Sequence, residues 1–232
     1  MIPIVILCGG LATRLYPLTK QIPKSMLDVN GKPFIHYQLD LLKKKGVSKI
    51  IICAGFLGDQ IKSYVKDGKD FGLDVVYSFE DENKLLGTGG AIKKALPLLE
   101  SSFGIIYGDS FLDINYSEVI DFFQSSEKQG LMTVLENNNR WDKSNIVFKN
   151  SKIINYDKKY RTACMKYIDY GFSLLKKEVF DTFEKETKFD LTCVYKNLLK
   201  QQELAGYEIK NRFYEIGSKQ GLEELKNILS RR

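Results

Sequence analysis

The chain has little of what metal centres and redox sites are usually built from. Its four cysteines, Cys8, Cys53, Cys164 and Cys193, show no C-x-x-C spacing and do not cluster with the single histidine, His36. Zinc and redox motifs are therefore unsupported. Cys8 and Cys53 lie in apolar, strand-like runs, where a reduced thiol acts as a small hydrophobe. The N-terminal apolar stretch has no charged segment before it and is too short to span a bilayer. No membrane association is expected, and the expected location is the cytoplasm. Repeats, low-complexity tracts and long linkers are also missing. The net charge of +6 is spread over scattered lysines, the longest run being Lys43-Lys44-Lys45, with no aromatic-interleaved basic stripe. That pattern excludes an obvious nucleic-acid partner and fits a solvated surface that attracts small anions.

What is present is a globular chain. At 232 residues, 44% hydrophobic and 12% aromatic, it can bury a substantial core and reads as one domain, 1–232. Strand and helix patterns alternate through the first part, 1–136. Lys49 to Cys53, Asp74 to Ser78, Phe103 to Tyr107 and Leu131 to Leu135 are strand runs. Helices are expected around Ile35, Leu39 and Leu42, over Asp59 to Val65, over Thr88 to Leu96 with Pro97 stopping it, and over Glu118 to Phe123. This order predicts an α/β domain with a mostly parallel sheet flanked by helices. After the Asn137-Asn138-Asn139 turn, 137–232 carries short strand candidates at Asn145 to Phe148, Ile153 to Tyr156 and Tyr167 to Leu174. They are read as antiparallel additions that wall a substrate pocket. Helices close the chain at Leu191 to Leu199 and Lys219 to Leu229, the last with Ser218 as N-cap.

The most informative stretch runs from Ile4 to Asp28. A buried strand, Ile2 to Leu7, is ended abruptly by Gly9-Gly10, where backbone N–H groups can turn toward an anion. Arg14 and Lys24 follow on a segment stiffened by Pro17 and Pro23. A strand end, a glycine turn and two cations suit a polyphosphate; the plain alternative is a surface turn with solvated charges. The phosphate loops of other nucleotide-binding proteins do not fit, because neither G-x-x-x-x-G-K-[ST] nor G-x-G-x-x-G spacing occurs here.

The stretch resembles the opening of the sugar-1-phosphate nucleotidyltransferases, L-x-G-G-x-x-T-R-L-x-P-L-T followed by P-K. The matching residues are Leu7, Gly9, Gly10, Thr13, Arg14, Leu15, Pro17, Leu18, Thr19, Pro23 and Lys24. The resemblance, which extends across nearly the whole chain, implies a Rossmann-like, mixed and mostly parallel sheet of the GT-A-like nucleotidyltransferase type. It also implies that the left-handed β-helix or second domain of larger members is absent. A nucleotide-binding part, 1–136, would precede a sugar-phosphate-binding part and C-terminal helix, 137–232.

The resemblance also assigns residues. Arg14 would hold the β- and γ-phosphates of an NTP with its guanidinium fork, and Lys24 would meet the α-phosphate. Asp109, in Tyr107-Gly108-Asp109, would bind Mg²⁺, joined by Glu215 where members usually have aspartate. Leu7, Gly9, Gly10 and Thr13 belong to the nucleotide loop. Leu85-Leu86-Gly87-Thr88-Gly89-Gly90 resembles the L-G-T-[AG]-G loop, so Gly87 and Thr88 are base and ribose contacts, with Glu80 upstream near base-reading positions. For the sugar phosphate the candidates are Lys158 on phosphate, Asp157 on a hydroxyl, and Asp169 and Gly171 of Asp169-Tyr170-Gly171. Asn145 stands where many members have glycine.

The expected reaction transfers NMP from an NTP, best matched by GTP, to a heptose- or mannose-type sugar 1-phosphate, by a monomer or homodimer. Uridylyl, cytidylyl and thymidylyl transfer share the motifs. A non-catalytic regulator, hinted at by Ala12 and Glu215, and a choline-phosphate cytidylyltransferase are further alternatives.

Overall fold

The computed structural model describes residues 2–231. Its first half runs β1 (Ile4–Cys8), β2 (Asp28–Val29), β3 (Lys32–Pro33), α1 (Phe34–Lys44), β4 (Lys49–Ala54), α2 (Gly58–Val65), β5 (Asp74–Phe79), α3 (Gly87–Ala95), β6 (Ser102–Tyr107), β7 (Ser110–Phe111), α4 (Tyr116–Ser125) and β8 (Gly130–Glu136). The second runs β9 (Ile146–Lys149), β10 (Lys152–Tyr156), β11 (Tyr167–Lys176), α5 (Leu191–Lys200), β12 (Leu204–Ile209), β13 (Tyr214–Glu215) and α6 (Lys219–Leu229).

Strands β5, β4, β1 and β6 lie side by side and parallel. Their apolar runs are continuous because both faces are covered. In β4, Ile50, Ile51, Ile52 and Cys53 are all fully buried. Alternate residues feed two cores. Ile4, Ile6, Ile50 and Ile52 pack with Ile35, Leu39 and Ile61 on α1 and α2. Val5, Ile51 and Ile105 pack with Ile92 of α3 and Val194 and Leu198 of α5. The two buried thiols are inert in this setting, burial pushing the Cys8 pKa up to about 12.

The chain leaves β1 toward β4 and β5 on one side, then returns to place β6 on the other. The crevice beyond the carboxyl ends of β1 and β6 is therefore a topological switch point, where open α/β sheets bind ligands. Beyond β6 the sheet turns antiparallel: β11 pairs with β6 and with β8, and the β9–β10 hairpin joins it at Tyr167 opposite Ile146.

The two-residue strands β2, β3, β7 and β13 were not read from the sequence, and two longer elements also depart from that reading. Strand β12 was not expected and runs parallel to β8, because α5 carries the chain back across the sheet, so the second half is not purely antiparallel. Pro97 does not itself end a helix: α3 stops at Ala95 and continues as a 3-10 turn over Leu96–Leu98. The Ser218 cap is present, its Oγ accepting from Gly221 N at 3.0 Å. A third, smaller core joins Leu15, Leu27, Val29 and Phe34 to Phe111, Ile216, Leu222 and Leu225. It holds the N-terminal loop, β7 and α6 on one floor beneath the crevice.

Candidate active site

Two cavities open at this switch point. The smaller, about 480 Å³, is lined by Leu7, Gly9, Gly10, Thr13, Glu80, Gly87 and Thr88 together with Lys24 and Asp109. The larger, about 1120 Å³, carries Arg14, Asn145, Lys158, Asp169, Gly171 and Glu215. Ala12, Thr13, Lys24, Tyr107 and Asp109 line both, so the two spaces meet at the Lys24–Asp109 pair.

The glycine turn after β1 is required by crowding. A Cβ on Gly9 would lie 2.6 Å from Glu80 Oε2, and one on Gly55 would lie 2.8 Å from Gly9 O. Glu80 is buried and its Oε1 accepts from Leu86 N at 2.7 Å. Burial raises its pKa. Its carboxylate ties the 80–86 loop against the Gly9 turn. Ala12 adopts left-handed backbone at φ 51°, a conformation that favours glycine and costs an alanine about 1 kcal/mol. Its carbonyl accepts from Thr19 Oγ1 at 2.9 Å and from Leu15 N at 3.0 Å. Arg14, on the 3-10 turn Thr13–Leu15, has no carboxylate partner among the described residues.

The acids converge through a ribbon too short to see in the sequence. Strand β13 pairs with β7, setting Glu215 opposite Ser110, and Ile216 N donates to Asp109 O at 2.9 Å. Asp109 Oδ2 lies 2.9 Å from Lys24 Nζ. Glu215 Oε2 accepts from Gly217 N, and Oε1 accepts from Ser218 Oγ at 3.3 Å. Its longer arm is thus folded back on its own turn. Burial and then the Asp109 charge raise the Glu215 pKa against the pull of Gly217 N–H, Ser218 and Lys24.

At the start of α3 the glycines serve packing as well as the cavity. Phe189 O accepts from Gly89 N at 3.0 Å, and a Cβ on Gly89 would strike the Phe189 ring at 2.3 Å. Thr88 Oγ1 donates to Asp190 Oδ2 at 3.1 Å and accepts from Leu191 N at 2.8 Å. The Thr88 hydroxyl therefore fastens α5 to α3. Lys188, on that docked segment, lines the smaller cavity; nothing in its sequence context marks it out.

On the other wall, Asn145 Oδ1 accepts from Asp169 N at 3.2 Å. Asp169 Oδ1 accepts from Gly171 N at 3.1 Å, and its Oδ2 faces Lys158 Nζ at 3.6 Å. Gly171 has φ 103° where β11 bulges between its pairings with β8, a turn that only glycine takes readily. Asp157 corrects the sequence reading, because it does not line the cavity. Its Oδ2 is bound by Lys196 at 2.6 Å and its Oδ1 by Lys159 N and Tyr160 N. Oδ1 is committed to the turn after β10 and Oδ2 to Lys196 of α5, so no sugar hydroxyl is assigned to it.

Those contacts, the Lys196 hydrogen bond foremost, hold the Asp157 pKa down at about 2. A depressed carboxylate stabilises the fold above its unfolded pKa and stops doing so as pH falls through the folded value. Asp157→Asn is thus expected to lower Tm at neutral pH. Between pH 3.8 and about 2 the gap to the unsubstituted chain should close, as thermal melts across that range will report.

A model of the nucleotidyl transferase family matches residues 4–231, and the chain belongs to that family. It is a nucleotidyltransferase, of the class that passes a nucleoside monophosphate to a sugar 1-phosphate to give an NDP-sugar. It is 31% identical over 215 residues to a D-glycero-alpha-D-manno-heptose 1-phosphate guanylyltransferase of Campylobacter jejuni, covering 92% of this chain and 93% of that one. It is 40% identical over 114 residues, 49% of each chain, to an N-acetylmuramate alpha-1-phosphate uridylyltransferase of Neisseria meningitidis. The solved structure of HddC from Yersinia pseudotuberculosis with GMP-PN superposes with a TM-score of 0.82 at 26% identity, covering 99% of this chain and all of that one. Among the described residues no helix is long and apolar enough to cross a membrane.

Proposed function

We propose that this protein transfers GMP from GTP to a heptose- or mannose-type sugar 1-phosphate, acting in the cytoplasm, as a monomer or homodimer, in the supply of surface polysaccharide. The observation that carries this reading is the meeting of two cavities at Lys24 and Asp109. One space then suits the nucleotide and the other the sugar, with the reacting phosphorus between them. The likeness to enzymes named as guanylyltransferases, and to a fold solved with GMP-PN, favours guanine. The Neisseria relative keeps uridylyl transfer as the second reading.

In the proposed reaction a sugar-phosphate oxygen forms a bond to the α-phosphorus as the bond to the β-phosphate breaks, and pyrophosphate leaves. Such chemistry needs alignment and charge neutralisation more than covalent help. Gly9, Gly10 and Thr13 present backbone to the phosphates, and Arg14 forks onto the β- and γ-groups. Lys24 trades the Asp109 carboxylate for the α-phosphate. Lys158 receives the acceptor phosphate, and Asn145, Asp169 and Gly171 bound the sugar. The donor set of Asp109 and Glu215 suits Mg²⁺, being hard oxygens of which one has its pKa raised by burial and by the other's charge. Among the described residues no third His, Cys, Asp or Glu completes a cluster, so phosphate and water would fill the remaining positions. When bound, the ion would neutralise phosphate charge in the transition state.

The test is pyrophosphate release over a panel of NTPs and sugar 1-phosphates, with and without Mg²⁺. GTP with a sugar 1-phosphate of the heptose or mannose type, with or without a further substituent on the sugar, should turn over fastest, and removal of Mg²⁺ should stop it. Faster turnover with UTP would install the second reading. Binding without turnover in every pairing would make the protein a regulator, and turnover of phosphocholine with CTP would remove the sugar site.

A further inference from the structure

We propose that the acceptor carries a second negative group, a carboxylate or a phosphate, on its sugar in addition to the 1-phosphate. The inference rests on the sugar-phosphate reading of the larger cavity and narrows its substrate class. Four guanidinium groups line that cavity and none lines the smaller one; besides Arg14, read above as a triphosphate contact, these are Arg140, Arg161 and Arg212. Arg140, Arg161 and Arg212 come from three separate segments: the turn after β8, the loop between β10 and β11, and the link from β12 to β13. Among the described residues, neither Arg140 nor Arg161 has a carboxylate in ion-pair contact. Arg212 is held in place, with its guanidinium carbon 5.1 Å from the Trp141 ring centroid and 5.0 Å from that of Tyr214, and it pairs with Glu224.

The carboxylates on the same walls are largely engaged. Asp169 faces Lys158. Asp142 Oδ1 accepts from Lys143 N at 2.6 Å. Glu224 takes Arg212 and Gln220 Nε2. A neutral sugar offers hydroxyls, which both donate and accept, and Asn145 and Asp169 suit those. Arginine only donates, and its planar fork matches a carboxylate or phosphate in two parallel bonds. Two unpaired forks beside a stacked third, in the cavity that holds Asn145, Lys158 and Asp169 and not among the residues of the smaller one, therefore describe a receptor for an anion on the sugar. The plain alternative is that Arg140 and Arg161 are solvated rim charges, and a third is that they assist the triphosphate.

The experiment is calorimetric titration of the full chain, at low ionic strength, with matched ligands. Glucose 1-phosphate is compared with glucuronic acid 1-phosphate and glucose 1,6-bisphosphate, and the manno series is treated likewise. At least one ligand with the second anion is expected to bind about tenfold or more tightly than the matched 1-phosphate that lacks it. The carboxylate and phosphate arms show which group is preferred. In Arg140→Ala/Arg161→Ala that ratio should fall toward one, with partial recovery in Arg140→Lys/Arg161→Lys; a melt of each variant controls for folding.

Equal affinities in the unsubstituted chain, no binding by any acidic ligand, or a ratio untouched by the double substitution would each overturn the proposal. So would a double substitution that weakens GTP binding as much as acidic-sugar binding. Pyrophosphate release, followed in parallel, separates the two readings. A tenfold preference without turnover defeats nucleotidyl transfer alone, whereas turnover of neutral sugars without preference defeats the second anion alone.

Discussion

Asp109→Ala is expected to lower kcat by about two or more orders of magnitude, the scale seen when one preorganised electrostatic stabiliser is lost. The carboxylate sits where both cavities meet, 2.9 Å from Lys24 Nζ, and its backbone carbonyl is the anchor for Ile216 N beside Glu215. The alanine variant keeps that backbone bond, so the ribbon should persist while the charge vanishes. Lys24→Ala and Arg14→Ala should fall by comparable factors. Because Lys24 and Asp109 act on one group, the double variant should be little worse than the worse single one. Glu215→Asp should stay active and Glu215→Ala should need far more Mg²⁺. Steady-state rates across a Mg²⁺ titration will check the set: near-normal turnover by Asp109→Ala would remove it from the metal site, and an unaffected Glu215→Ala would show that the second acid lies elsewhere.

The sequence made some of this legible for a definite physical reason. The β1 strand, its double glycine and the two cations are local in the chain, so their chemistry can be read before the fold is known. Strand β6 and Gly108-Asp109 repeat the pattern of a buried run ending in a turn, and a parallel sheet brings such ends together. The pairing of Glu215 with the Asp109 segment depends instead on β7 and β13, two residues each, which leave no periodic signal. Strand β12 was hidden likewise: Leu204–Ile209 mixes Gly206 and Glu208 among its apolar residues, and only its packing on β8 makes it a strand.

Side-chain commitments were harder still. Asp157 and Thr88 look like ligand contacts by position, yet the Asp157 carboxylate holds a turn and Lys196 of α5, and the Thr88 hydroxyl, while lining the smaller cavity, also holds a helix start. Arg140, Arg161 and Lys188 lie in irregular segments, where charge alone does not distinguish a solvated side chain from one facing a cavity.

Phe172→Ala is expected to destabilise the fold by about 3–5 kcal/mol, the range for emptying a fully buried aromatic site. Phe172 is completely buried on β11, opposite Ile106 of β6, with its ring 4.9 Å edge-on to Tyr116 of α4. A Cβ on Gly104 would lie 2.9 Å from that ring, so the glycine in β6 makes room for it. The Phe172 carbonyl also accepts from the buried Thr133 Oγ1 of β8 at 2.5 Å. This one residue thus fastens the strand that bears the Gly171 bulge to the strand that leads into Gly108-Asp109. If residues 1–136 and 137–232 form one cooperative unit, denaturant unfolding of the variant should remain a single transition. Its midpoint should be lower and its slope unchanged, since a typical total stability of about 5–15 kcal/mol leaves a folded population to follow. Two resolved transitions, with residues 1–136 melting apart from 137–232, would show instead that β11 joins two separately stable bodies, and that the shared cavity wall at Lys24 and Asp109 does not depend on their union.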